Sequence, residues 1–259
     1  MLAVLSPAKS LDLASPVPPV DATVPRFAAD AARLAKAAAK LRPAALRTLM
    51  HISQPLAELN AARFAAFDPD PAAGRPALFT FDGDVYAGLQ GPGMDAATRT
   101  FAQAHVRILS GLYGVLRPLD MIQPYRLEMG IEFAIGRKRT LYAVWGERIA
   151  AALAEDLAGH RDATLVNLAS VEYFNAVTIA RLPGRVLAID FRDDHDGELR
   201  FNTFVAKRAR GAMARYLCDH RLDRPEGLKD FADDGYRFDA AGSDPDRWLF
   251  IRKARAARA

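Results

Sequence analysis

The sequence predicts one α+β domain in which helices flank a central mixed β-sheet. Short apolar runs bounded by turn residues occur near both ends of the chain and in its middle, and segments of helical composition alternate with them. No internal repeat and no Ser/Gly-rich linker divides the 259 residues. We therefore expect a single domain over residues 1–259, ending in a basic tail from about residue 252.

The amino-acid composition indicates a folded protein without disulfides. Hydrophobic residues make up 51% of the chain and charged residues 25%, so a packed core is expected rather than disorder. Cys218 is the only cysteine, which excludes an intramolecular disulfide and a metal site built on several thiolates. The N-terminus lacks the apolar region of a signal peptide, and no run of 18 apolar residues occurs. We expect a cytoplasmic protein without a membrane partner.

Several short runs are predicted to be strands because they are apolar or alternating and end at Gly, Pro or polar turn residues. They lie at residues 2–5, 77–81, 164–168, 185–191, 198–205, 236–238 and 248–251. Asp196 and Gly197 separate two of these runs. An Asp-Gly pair favours a type I′ hairpin turn, since both central residues must adopt positive φ.

Segments that are alanine-rich or amphipathic are predicted to be helices. They lie at residues 27–41, from residue 43 onward, and at residues 56–67, 98–109, 140–158 and 206–222. Pro43 suits a first helical turn, and Ser53 can cap the helix that follows it. Gly211 inside the last of these helices costs helix stability, which indicates close approach by something large.

Polar side chains follow the first two predicted strands. Ser6 and Lys9 come directly after the first, at the edge of a sheet where ligands usually bind. Lys9 is suited to a phosphate, although a merely solvated lysine would give the same pattern. Asp82 and Asp84 flank a glycine after the second run. Such a pair can bind Mg²⁺ or act as acid and base, or Asp84 can simply cap a short helix.

A third polar group follows the predicted strand at residues 164–168. Asn167, Ser170 and Glu172 either line the same cleft or, for the first two, form a helix-capping turn. Arg126 lies beside Tyr125 and is able to pair with a carboxylate or to contact a phosphate.

Residues 109–120 contain two glycines three positions apart, and the pattern predicts a helix that ends at Gly111, turns, and restarts near Gly114. Backbone N–H groups in such a hairpin, together with the next helix N-terminus, can hold a phosphate oxygen. Helix-hairpin-helix modules bind DNA in this way, although their glycines are usually two apart. The alternative is an ordinary structural turn.

Basic residues are concentrated in the predicted helix at residues 206–222. Lys207 and Arg210 are three apart and share one face, whereas Arg208 and Arg215 form another. A basic helix is more often solvated than functional. The formal net charge of +4 permits binding to a polyanion without requiring it.

Several of these segments together resemble the YaaA family, in order along the chain. They are Ser-Pro-Ala-Lys-Ser-Leu-Asp at residues 6–12, Gly-Asp-Val-Tyr at 83–86 with Gly-Leu at 88–89, the block 109–130, Asn-Leu-Ala-Ser at 167–170 with Glu-Tyr-Phe at 172–174, and residues 206–215. The resemblance implies a bacterial protein that protects against hydrogen peroxide by limiting free iron and that binds double-stranded and structurally irregular DNA. It also implies a positively charged cleft and a helix-hairpin-helix element, which we place at residues 110–117.

The leading hypothesis is that duplex or structured DNA is the partner and that the protein is a monomer. The expected DNA-binding residues are Lys9, Ser110, Gly111, Tyr113, Gly114, Arg117, Arg126, Lys207, Arg210 and Arg215. The expected cleft lining is Ser6, Asp84, Tyr86, Tyr125, Asn167, Ser170 and Glu172.

The alternative is an enzyme acting on a nucleotide, a nucleic acid or another phosphorylated substrate in the same cleft. Asp84 or Glu172 would then be the base or a metal ligand, beside Lys9. We expect no cofactor and no dedicated metal site, because the five histidines lack metal-ligand spacing. A carboxylate site for iron stays open as a third possibility.

Overall fold

The computed structural model describes residues 1–254, and a mixed β-sheet forms the centre of this part of the chain. The strands are β1 Leu2–Leu5, β2 Ser10–Leu11, β3 Arg75–Pro76, β4 Phe81–Asp82, β5 Val106–Ser110, β6 Gly114–Leu116, β7 Met121–Ile122, β8 Leu165–Asn167, β9 Val186–His195, β10 Glu198–Arg200, β11 Arg237–Asp244 and β12 Arg247–Lys253. The described residues place eight of them in one sheet, in the order β11-β12-β9-β8-β1-β5-β6 with β10 paired to β9. Two small two-stranded sheets, β2-β4 and β3-β7, lie apart from it.

Helices connect these strands. They are α1 Ala28–Ala38, α2 Pro43–Met50, α3 Gln54–Ala65, α4 Ala77–Thr80, α5 Asp84–Leu89, α6 Ala96–His105, α7 Leu141–Trp145, α8 Arg148–Ala158, α9 Val171–Phe174 and α10 Thr203–Asp219. Short 3₁₀ helices lie at Gly91–Gly93, Ile179–Arg181, Pro225–Asp230 and Asp233–Gly235. The predicted single domain with a central mixed sheet flanked by helices is therefore confirmed. No helix within residues 1–254 is long and apolar enough to cross a membrane.

The middle of the sheet is parallel and buried. β1 pairs in parallel with both β5 and β8, and β8 pairs in parallel with β9. All four residues of β1 are fully buried, which matches the uninterrupted apolar run expected of a central parallel strand. β9 instead alternates between buried and partly exposed residues, as a strand with two different faces does. Antiparallel pairs form the two ends of the sheet.

The order of the strands determines where a ligand can bind. The chain forms β5 and β6 on one side of β1 and then crosses to the other side to form β8. In sheets with parallel strands, such a reversal opens a crevice at the carboxyl ends of the strands on either side. The segments that follow β1 and β8 meet at this edge.

Two glycines bring α5 and α10 into close contact. A Cβ built on Gly211 of α10 would lie 1.7 Å from the carbonyl oxygen of Val85, and one on Gly88 of α5 would lie 2.0 Å from the carbonyl oxygen of Arg208. No side chain fits at either position. The close approach predicted at Gly211 is therefore confirmed, and the neighbour is the backbone of α5.

Other sequence predictions were also confirmed. Strands occupy residues 2–5 and 165–167, and the turn at Asp196 and Gly197 has φ of 54° and 96°. One element type and three boundaries were wrong. Residues 77–80 are helical, the helix predicted to reach residue 109 ends at His105, the helix at 140–158 is interrupted at Gly146, and residues 203–205 begin α10. Gly146 ends α7 with φ of 52°.

The predicted helix-hairpin-helix element at residues 110–117 was wrong. β5 and β6 form an antiparallel β-hairpin there, with Ser110 opposite Gly114. Residues 106–116 are all buried, so the run packs as strands within the core, and tertiary burial overrides local helix preference. Gly114 adopts φ of 70° in the turn.

Two residues that were predicted to begin the basic tail belong to the sheet. Arg252 and Lys253 belong to β12, and Arg252 is buried with its Nε donating to Asp193 Oδ1 at 2.8 Å. Its guanidinium also pairs with Asp234. The remaining predicted tail residues from 255 lie outside the described residues.

Replacing Gly211 with alanine is expected to lower the free energy of unfolding by about 2 kcal/mol or more, because the added methyl overlaps the backbone of α5. The gain in helix propensity, about 1 kcal/mol, does not offset this overlap. The control is Gly159→Ala at the end of α8, where the nearest atom to a new Cβ is 3.8 Å away. Urea denaturation of both variants is the measurement, and equal stability of the two would contradict the contact.

Candidate functional site

A cleft of about 380 Å³ lies where the segments after β1 and β8 meet α5 and α10. We call it the strand-end cleft. Its polar and charged lining residues are Ser6, Lys9, Ser10, Asp82, Asp84, Ser170, Glu172, Lys207 and Arg210. Four segments that are far apart in sequence therefore converge at the edge of the sheet where the strand order predicts a ligand.

Hydrogen bonds hold the two strand ends together. The Ser170 backbone N–H donates to Ser6 Oγ at 2.9 Å, and Ser6 Oγ lies 3.3 Å from Ser170 Oγ. Tyr86 OH donates to the Ser6 carbonyl at 3.1 Å. Asn167 serves the turn itself, since its Oδ1 accepts the Ala169 N–H at 2.9 Å. Asn167 lines a neighbouring cavity rather than the strand-end cleft, and Arg210 lines both.

Lys9 is at the rim of the cleft, next to a buried carboxylate. Its Nζ lies 3.4 Å from Glu128 Oε1, and its side chain is 66% exposed. Arg126 Nε donates to the same oxygen at 2.9 Å. Glu128 Oε2 is buried without a hydrogen-bond partner among residues 1–254. Lys9 is thus anchored but open to a ligand, whereas Arg126 is mostly buried against its acid.

Glu128 was absent from the site predicted by sequence. The signal available from the sequence was its position two residues after Arg126, between the apolar residues Leu127 and Met129. A buried carboxylate among apolar residues needs a partner, and Glu128 has two, Lys9 and Arg126.

Lys207 and Arg210 enter the cleft from α10. Arg210 is partly buried, and its Nε finds no hydrogen-bond partner in the described part of the chain. Burial lowers the pKa of the Arg210 guanidinium from its ordinary value, and the nearby Asp190 carboxylate acts in the opposite direction. A guanidinium still carries its charge at neutral pH. Arg210 therefore presents a poorly solvated cation that an anionic ligand would stabilise.

Three carboxylates, those of Asp82, Asp84 and Glu172, share the cleft with these cations. Asp84 is the first residue of α5, and the preceding Gly83 occupies the cap position without a side-chain cap. Glu172 Oε1 accepts the Gly130 backbone N–H at 3.1 Å, which fixes the carboxylate. The cleft is thus mixed in charge rather than uniformly basic.

Tyr173 lines the cleft, whereas Tyr86 and Tyr125, which were predicted to line it, are not among its lining residues. Tyr86, Tyr125 and Tyr173 are buried, and burial raises the pKa of each above its ordinary value. The hydroxyls therefore stay protonated at neutral pH. Tyr125 OH lies 2.6 Å from Ser110 Oγ, so both residues belong to the core support of the cleft.

Several predicted DNA contacts lie elsewhere. Ser110 Oγ accepts the Tyr113 N–H at 2.9 Å, and Tyr113 OH accepts the Gln123 N–H at 3.0 Å. The carbonyl of Gly111 accepts Trp145 Nε1–H at 3.0 Å. Gly114 packs against the same indole ring, which a Cβ would meet at 2.8 Å. The hairpin is therefore a packing element, and its polar groups are used inside the fold.

Two predicted cations are also held by the fold. Arg117 Nε lies 3.2 Å from Asp120 Oδ1, and Arg215 Nε lies 2.8 Å from Asp219 Oδ2. Arg215 also donates to the carbonyl of Gln90 at 3.0 Å. It lines a larger cavity of about 460 Å³ together with Arg208. We favour the strand-end cleft as the site, because Arg215 in the larger cavity is already satisfied by protein groups.

Within residues 1–254, no group of three or more His, Cys, Asp or Glu side chains is placed to hold a metal ion. Asp82, Asp84 and Glu172 are the carboxylates that line the strand-end cleft.

Comparison with known proteins identifies close relatives. A family model described as "Peroxide stress protein YaaA" matches residues 1–242. A "UPF0246 protein" of Rhizorhabdus wittichii is 54% identical over 253 residues, covering 97% of this chain and 99% of the relative. A "UPF0246 protein" of Caulobacter vibrioides is 50% identical, with 97% and 99% covered. One of Ralstonia pickettii is 50% identical, with 98% and 99% covered.

Proposed function

This chain belongs to the peroxide stress protein YaaA family and so has a role in peroxide stress, and we propose that it acts in the cytoplasm by binding DNA through the strand-end cleft. The observation that carries the proposal is the convergence of Lys9, Lys207 and Arg210 on one concave surface. Limiting iron-dependent damage to the bound DNA is the role that we propose for this binding.

The chemistry of the three cations supports phosphate binding. Lys9 is exposed at the rim, while Lys207 and Arg210 are one helical turn apart on α10. Each can neutralise one phosphate, and phosphate contacts supply most sequence-independent affinity for DNA. The binding proposed here differs from the helix-hairpin-helix mode, because it relies on side-chain cations rather than on backbone N–H groups of a hairpin.

Affinity for duplex DNA is expected to fall with salt by roughly 0.9 log units per log unit of salt for each phosphate neutralised. Three cations then give a loss of about 40-fold between 50 and 200 mM salt. Fluorescence anisotropy titrations across this range are the measurement. Binding that does not change with salt would contradict the proposal.

Matched variants of α10 locate the contact. Lys207→Ala and Arg210→Ala should each weaken binding and reduce the salt slope by about 1. Arg208→Ala is the control, since Arg208 is exposed on a different face of the same helix and lines the larger cavity. An equal loss in the control variant would show that overall charge, not the cleft, is responsible.

A second candidate function is catalysis on a nucleotide or nucleic-acid substrate. Asp84 and Glu172 favour it, because carboxylates repel phosphates and a surface that only binds DNA backbone does not require them. In this role one of them would be a base or a ligand for Mg²⁺, beside the phosphate-binding cations.

Incubation with labelled duplex, junction and abasic DNA, with and without Mg²⁺, tests the second candidate. If the cleft is catalytic, product forms and Glu172→Gln lowers its rate by about 100-fold or more. Glu58→Gln, which alters an exposed acid on α3, should leave the rate unchanged. No product over several hours would remove the catalytic reading for these substrates.

A further inference from the structure

The mixed charge of the strand-end cleft restricts the chemical class of ligand that it can bind. Lys207 and Arg210 suit phosphate, but Glu172 faces the same cavity with a carboxylate held by the Gly130 N–H. A carboxylate repels phosphate and accepts hydrogen bonds from amino and imino groups. A ligand that carries both an anionic group and N–H donors satisfies both halves of the cleft. A nucleotide, with its phosphate and its base edge, is such a ligand.

The size of the cleft agrees with this ligand. Its volume of about 380 Å³ falls within the range of small-molecule pockets, roughly 300–1,000 Å³. A double helix is too wide to enter such a cavity and can only lay its backbone across the opening, whereas one base and its sugar can enter. Apolar contacts with a base face are available from the partly exposed Pro7 and Ala8, which also line the cleft.

Two exposed apolar side chains lie on segments that also contribute residues to the cleft. Phe204 is 72% exposed one turn before Lys207, whose Nζ lies 6.0 Å from the centroid of the Phe204 ring. Val171 is 76% exposed and lies between Ser170 and Glu172 in the chain. Aromatic side chains beside phosphate-binding cations are the arrangement with which proteins stack on unpaired bases.

We propose that the strand-end cleft binds one unstacked nucleotide of a DNA strand, and this proposal rests on the DNA binding proposed above. Lys207 and Arg210 contact the phosphates on either side of this nucleotide. Its base enters the cleft and donates to Glu172, and Asp84 is the second acceptor. The Phe204 ring stacks on the next base of the strand. It occupies the place that the unstacked base has left. DNA with an unpaired nucleotide is then the preferred ligand, because less pairing is lost on binding.

The test compares a fully paired duplex with the same duplex carrying one unpaired nucleotide, by anisotropy at constant salt. Wild-type protein is expected to bind the second more tightly. Phe204→Ala should lose about tenfold on the unpaired duplex and little on the paired one. Leu59→Ala, which truncates an exposed apolar side chain on α3, is the control and should change neither.

The identity of the unpaired base supplies a second readout. Wild-type affinity should differ among the four bases at this position, and Glu172→Gln should reduce that difference while keeping the salt slope. Equal wild-type binding to both duplexes, an equal loss in Phe204→Ala on both, or no discrimination among bases would each overturn the nucleotide pocket. Duplex binding that stays salt-dependent would still leave the backbone proposal standing. Failure of wild-type protein to bind either duplex would refute DNA binding itself.

Discussion

The site depends on a contact between two helix backbones that only glycine permits. Gly88 and Gly211 let α5 and α10 approach until the carbonyl of one helix occupies the space of a missing side chain on the other. Asp84 begins α5, and Lys207 and Arg210 lie on α10. The contact that packs these helices therefore also determines how the Asp84 carboxylate faces the Lys207 and Arg210 side chains across the cleft. The Ser6 to Ser170 hydrogen bond joins the two strand ends beneath them.

The basic residues differ in whether the fold itself uses their charge. Arg117 and Arg215 pair with acids three and four residues away, so their guanidinium groups stabilise local structure. Arg126 is similarly held by Glu128. Arg210 instead keeps a buried Nε without a hydrogen-bond partner among residues 1–254. Burying a polar donor without a partner costs free energy, and an anionic ligand removes that cost. This difference separates Arg210 from Arg117, Arg126 and Arg215, although Arg75 and Arg185 also have buried guanidinium nitrogens without a hydrogen-bond partner among residues 1–254.

Much of the site could be predicted from sequence because strand ends follow a simple rule. The apolar run at residues 2–5 and the one near residue 165 predicted buried strands, and polar residues directly after such strands meet at one edge. Ser6, Lys9, Ser170 and Glu172 are placed by this rule, and the structure brings them into one cavity. Gly211 predicted a close helix contact because a mid-helix glycine is otherwise unfavourable.

The hairpin and the pairing of the arginines could not be predicted, because they depend on burial, which local sequence does not reveal. Gly111 and Gly114 suit a hairpin between helices as well as one between strands, and only packing against Trp145 decides between them. Arg117 and Arg215 pair with acids that lie nearby in the sequence, and neither lines the strand-end cleft. Short-range acids of this kind are a better guide to structural arginines than the density of positive charge.

Hydrogen exchange measured by mass spectrometry, with and without a duplex carrying one unpaired nucleotide, tests the central claim that nucleic acid contacts the strand-end cleft. Protection is expected in the peptides that span residues 6–10, 170–174 and 203–210. The hairpin at residues 110–117 should exchange equally in both states, since its polar groups are already bonded within the fold. Protection of the hairpin with none at the cleft segments would contradict the account.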